Sequence, residues 1–180
     1  MSTVIGIDPS LTGTGLAWPN GETWTAADSS YKGDDRLDYI YRAVHTIAQQ
    51  HNQLGNPIAL AVVEDLPKHA HGAGLTGMAQ GVIRLALQQT LVPYILIPAA
   101  TLKKFATGSG NAGKPDMRME LYKRAGLDLK DDNQVDAWWL RALGHELLGD
   151  PIVALPKTHT DALGKLTLPA GVAELTGGTR

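Results

Sequence analysis

The sequence predicts an α/β protein, a mixed sheet with an antiparallel hairpin and parallel strands, flanked by helices. Three observations predict it. Apolar runs of strand length alternate with stretches of helical periodicity. Two short runs near the N-terminus are joined by a Pro-Asn-Gly turn, which makes them a hairpin. Two apolar runs end abruptly on carboxylates, Asp8 and Glu64, as strands do where they emerge from a core.

In chain order, "TVIGID" reads as a strand buried on both faces, and "GTGLAWPNGETWTA" as the hairpin. From about Asp34 to Leu54, Leu37, Ile40, Tyr41, Val44, Ile47 and Ala48 recur at helical spacing. "PIALAVVEDLP" is a further strand ending on Glu64 and Asp65, and the glycine-rich "KHAHGAG" leads into a helix over roughly Thr76 to Leu91. "VPYILIPA" is a central strand. Next come a short helix, a glycine loop and a second helix in "TLKKFATGSGNAGKPDMRMELYKRAG", with Pro115 suited to a first helical turn. "DDNQVDAWWLRALGHELLG" is the last clear helix, with Asp131 to Asn133 as capping residues. Trp138 and Trp139 sit mid-helix among apolar residues and read as packing. Residues 1–149 form one domain on this reading, and 150–180, rich in proline and glycine, a partly irregular appendage.

Composition narrows the function. The 180 residues suffice for one domain with a real core, and the absence of cysteine excludes disulfides and thiolate metal sites. No basic-then-apolar leader opens the chain and no apolar run is long enough to span a bilayer, so a cytoplasmic protein without membrane contact is expected. The formal net charge of −2 argues mildly against nucleic acid, yet the charge is segregated. Between Lys103 and Arg124 six cations face only Asp116 and Glu120, a patch able to steer a polyanion.

The acids carry the chemistry. Asp8 and Glu64 end strands, and Asp132 and Asp136 lie four apart on one face of the last helix. Taken singly, each has a plain structural reading as a turn residue, a solvated strand end or a helix cap. Brought together they would repel unless cations neutralised them, and hard oxygen ligands suit Mg²⁺ or Mn²⁺. Two such ions about 4 Å apart can activate a water and stabilise the leaving oxygen in phosphodiester cleavage.

At this point the motifs resemble a known family. "IGIDPS" followed by Gly-Thr-Gly, the "VVED" strand, "LTGMAQGVIRLAL", "LKKFATGSGNAGKPDM" and "VDAWWLRA" stand in the order found in RuvC Holliday-junction resolvases, of the ribonuclease-H-like superfamily. The resemblance runs from about Thr3 to Leu148 and is similar in compactness to phage-encoded members. It implies a ribonuclease-H-like fold, a metal-dependent endonuclease acting on branched DNA such as four-way junctions, and a homodimer. It further implies Asp8, Glu64 and Asp136 as catalytic acids and metal ligands, Lys114 beside the scissile phosphate, and Lys103 or Lys104 on DNA, with Arg118 and Ser10 as further contacts. The family's remaining acid falls at Asn133 here, so Asp132 is assigned as the fourth ligand, with Asn133 as the competing position. Mg²⁺ is the expected cofactor, with Mn²⁺ able to replace it. The small residues Gly77, Ala79, Gly81 and Ala86 mark a candidate dimer surface, and His69 and His71 are either contacts to phosphates or metal or, as loop histidines more often are, simply solvated. Two rival readings remain: a junction-binding protein without catalysis, prompted by Asn133, and an actin-like ATP-binding protein, prompted by "GIDPSLTGTG".

Overall fold

The computed structural model describes residues 2–66 and 73–172. The strand β1 (Val4–Asp8) is buried along its length except at Asp8, because it is the central strand of the sheet. It pairs antiparallel with β2 (Thr14–Ala17), which turns back through Trp18–Glu22 into β3 (Thr23–Ala26). On its other side β1 runs parallel to β4 (Leu60–Glu64), and β4 to β5 (Tyr94–Ile97). The order β3-β2-β1-β4-β5 gives the mixed sheet expected from the hairpin and the alternating elements.

Strand alternation divides the core into two layers. Ile5, Ile7, Ala61 and Val63 face α1 (Gly33–Gln53) and α2 (Ala73–Gln89), whose Ile40, Val44, Ile83 and Leu87 complete that layer. Val4, Leu60, Val62 and Ile97 face the opposite way, against α5 (Asp132–Leu147), α3 (Ala99–Thr107) and α4 (Lys114–Ala125). Here Trp139 is fully buried and donates its indole N–H to the Met117 carbonyl at 3.1 Å, and Phe105 meets it edge to face. The tryptophan pair is packing.

The helix α5 approaches the sheet at main-chain distance, which glycine alone permits. A methyl group at Gly6 would lie 2.0 Å from the Ala137 carbonyl oxygen, and one at Gly15 would lie 2.1 Å from that of Asn133. A methyl group at Gly144 would lie 2.6 Å and 2.7 Å from the side chains of Val4 and Val62. These three contacts seat α5 antiparallel to β1.

Two local expectations need adjustment. The helix α2 starts at Ala73, earlier than Thr76, and ends at Gln89, because Leu91 takes a positive φ of 57° that stops it. Ala79 and Ala86 face the core, so the small-residue surface of α2 reduces to Gly77 and Gly81. After Leu148 the chain folds back over the core: α6 (Lys157–Thr160) and a following 3-10 turn bring Val153, His159 and Leu163 into buried positions, with Val172 beyond them.

Candidate active site

The site is assembled by strand register. Ile7 of β1 stands beside Val63 of β4, so Asp8 and Glu64, one residue further, end neighbouring parallel strands side by side. Adjacent strands lie ~4.8 Å apart. Both acids follow the alternation that turns Val4, Gly6, Leu60 and Val62 toward the α5 layer. The end of β4 is pinned from the other layer, where Gln80 of α2 donates to the Glu64 carbonyl at 2.9 Å. The loop after β1 is pinned by Thr14, whose hydroxyl donates to the Ser10 carbonyl at 2.7 Å.

The same glycine contacts carry Asp136 to this place. Because Gly144 lies over Val4, Ala137 over Gly6 and Asn133 over Gly15, the N-terminal turn of α5 reaches the level of Asp8, the register partner of Gly15. Asp131 fixes that end as the N-cap, accepting from the Asn133 N–H at 2.9 Å and from the Thr25 hydroxyl at 2.6 Å.

The proximity of these three acids shifts their titration. Burial pushes the Asp8 carboxyl well above its ordinary value, and the Glu64 and Asp136 carboxylates push it further, against a smaller opposing effect of Lys114. Burial, then Asp136, raises Glu64 to about 7, partly relieved by Lys103. Burial raises Asp136 to about 6; Lys114 and Lys103 oppose the rise and Asp132 adds to it. Among the described residues no three acids or histidines stand close enough to grip one ion directly as their side chains are placed. The three share a repulsive field that a divalent cation would relieve, and their all-oxygen donors match hard cations.

The basic residues separate into those that serve this site and those that do not. Lys114, at the start of α4, pairs with Asp132 at 3.0 Å, and that hydrogen bond raises its pKa, with Asp136 and Asp8 adding to the effect. Lys103 acts on both Glu64 and Asp136. Lys104 has no such influence on the acids and is half-buried on α3. Arg118 is engaged by Asp128 at 2.6 Å, and the Ser10 hydroxyl contacts that of Thr12 at 3.2 Å. Asp132 therefore borders the acids through Lys114, while Asn133 turns its amide nitrogen toward Gly13 of the hairpin. His69 and His71 lie outside the described residues. Gly6, Gly15, Gln80 and Thr25 were not singled out as parts of the site. A glycine inside a buried strand was the available signal, since it marks close approach of another backbone.

No protein-family model matches the chain. Individual relatives do. A crossover junction endodeoxyribonuclease RuvC from Rhodopirellula baltica is 28% identical over 161 residues, covering 84% of this chain and 90% of the relative. One from Nocardia farcinica is 29% identical over 131 residues, 69% of each chain. The Thermus thermophilus RuvC structure superposes with a TM-score of 0.64 at 19% identity, over 84% of this chain and 99% of that one. Over most of its length the chain is similar to RuvC in sequence, and it shares the RuvC fold. The T. thermophilus RuvC solved in complex with a Holliday junction substrate gives a TM-score of 0.63 at 20% identity, over 86% of this chain and all of that one. The RuvC fold thus accounts for the mixed sheet, the two helical layers and the strand ends on which the acids converge. No helix among the described residues is long and apolar enough to cross a membrane.

Proposed function

We propose that this chain is a divalent-cation-dependent endonuclease that cuts phosphodiesters in branched DNA, a Holliday-junction resolvase working in the cytoplasm as a homodimer. The observation that carries the reading is the mutual coupling of Asp8, Glu64 and Asp136 at the carboxyl ends of parallel strands. The names of the relatives, and the junction bound to the T. thermophilus structure, support the substrate class. The exposed Leu75, Met78 and Leu85 on α2, beside the open Gly81, support a second copy of the chain docking there.

Asp8, Glu64 and Asp136 would hold the cations, with Asp132 at their border and Mg²⁺ as the physiological ion, replaceable by Mn²⁺. Bound there, divalent cations supply the Lewis acidity that activates a water and stabilises the departing 3′ oxygen. Lys114 is kept charged by Asp132 and held beside Asp136 and Asp8, where it offsets negative charge on the phosphate being cut. Lys103 approaches from the side of Glu64 and holds the phosphate backbone. Arg118, Lys104 and Ser10 contribute more distant contacts to the strand.

The deciding experiment incubates the protein with four-way junctions, flaps and linear duplex, with and without Mg²⁺. Symmetric nicking of the junction that requires the cation is expected. Junction binding with no nicking under any divalent cation would make the protein a binder alone. A pH dependence follows as well. Glu64 and Asp136 must shed their protons to bind a cation, and these protons are held up to about 7 and about 6. Mg²⁺ affinity, measured by calorimetry, is therefore expected to rise with pH from about 5.5 to 7.5 and level off above.

A further inference from the structure

A groove of about 630 Å³ runs along α4, outside the acid cluster but continuous with it, since Lys114 and Asp132 belong to both. Its wall comes from the sequence of α4. Lys114, Arg118 and Tyr122 recur four apart and form one stripe, while Met117 and Leu121 point into the core. Met119 and Tyr122 are 52% and 58% exposed, large side chains left in solvent beside a charged site. The cations of the groove are already matched, Lys114 by Asp132 at 3.0 Å and Arg118 by Asp128 at 2.6 Å. Beyond Lys114, the floor of the groove, with the Arg118–Asp128 pair, a phenol ring and a thioether, does not suit a second phosphate. It suits the flat face of a nucleobase, with guanidinium and carboxylate edges available to its polar rim.

We infer that this groove receives an unpaired base of the cut strand, stacked on Tyr122, and that it contributes to selection of branched over linear DNA. The inference rests on the nuclease reading, because a strand whose phosphate lies at Lys114 must continue past the acids. From Lys114 to Tyr122 the helix advances ~12 Å, so the base lies within a few nucleotides of the cut. A base inside a continuous duplex has both faces covered by its neighbours, whereas a base at a branch point can offer one. Tyr122 thus acts as a specificity residue that binds substrate, remote from the reacting atoms.

The test uses the full chain and four-way junctions carrying 2-aminopurine at successive positions beside the branch, without divalent cation so that no cutting intervenes. The wild type is expected to quench the fluorophore at one of these positions. Tyr122→Ala is expected to abolish that quenching and weaken junction binding by about tenfold, with duplex binding changed less than about twofold. Tyr122→Phe, which keeps the ring, should retain both. Circular dichroism checks that the variants fold, which the exposure of Tyr122 favours. Quenching and junction affinity unchanged in Tyr122→Ala would overturn the base site and leave the nuclease reading intact. Quenching that depends on Tyr122 in a protein that never nicks with Mg²⁺ would support the base site while removing the nuclease.

Discussion

Replacing Asp8 by asparagine is expected to stop junction nicking and, at the same time, raise the melting temperature of the metal-free protein. Both effects come from one cause. Asp8 is a carboxylate forced into a buried site beside Glu64 and Asp136, and its pKa stands well above the ordinary value for that reason. Asparagine keeps the shape and removes the charge, so repulsion within the cluster falls along with affinity for cations. The loss of nicking is expected to be between about a hundredfold and a thousandfold.

The direction of the stability change follows from proton linkage. In the unfolded chain these carboxyls release their protons near pH 4, whereas in the folded protein Asp136 and Glu64 hold theirs to about 6 and about 7. The native state binds more protons than the unfolded one across that window. The metal-free protein is therefore most stable below about pH 4 with respect to these groups, and loses that contribution as pH rises through about 7. The rise of Glu64 from 4.5 to about 7 corresponds to at most about 3 kcal/mol, shared with its coupled partners and not additive with theirs. A gain of about 1–2 kcal/mol in Asp8→Asn at pH 7.5 would lift the melting temperature by about 5 °C. Saturating Mg²⁺ should stabilise the wild type and have little effect on the variant. A variant that melts at or below the wild-type temperature at neutral pH, without metal, would contradict the repulsive cluster.

Gly6→Ala is expected to cause the largest loss of stability of any single methyl addition in the sheet. The new carbon would sit 2.0 Å from the Ala137 carbonyl oxygen and 2.5 Å from the Arg141 nitrogen. Both obstacles are main chain, so no rotamer change relieves the clash and α5 has to lift. Overpacking in a core costs about 1–3 kcal/mol when side chains can adjust, and a backbone obstacle places this case at or above the top of that range. A drop of about 10 °C or more in melting temperature is expected. Nicking should fall even at temperatures where the variant stays folded, since α5 carries Asp136. The same exchange at Gly74, where a methyl group meets nothing within 4 Å, should leave melting unchanged or slightly raised.

Much of this arrangement is legible in the sequence, and the exceptions share a physical origin. Strand and helix periodicity locate the elements, and the apolar runs ending on Asp8 and Glu64 point to the sheet edge where acids gather. Parallel pairing of β1 with β4 then makes the two neighbours. What periodicity does not reveal is main-chain contact. The seating of α5 on Gly6 and Gly15 involves carbonyl groups, which leave no pattern among side chains. The rotation of α2 was equally hidden, because small residues occur on several of its faces and only packing selects Ala79 and Ala86 for the core. The ion pair of Lys114 with Asp132 joins two helices through side chains whose meeting depends on their final placement.

The contact between Gly15 and Asn133 has one more consequence. It is made by the main chain of Asn133, so the anchorage of α5 does not depend on which side chain that residue bears. Position 133 is thus free to vary in side chain, against the hairpin at Gly13, while the seat of α5 stays in place.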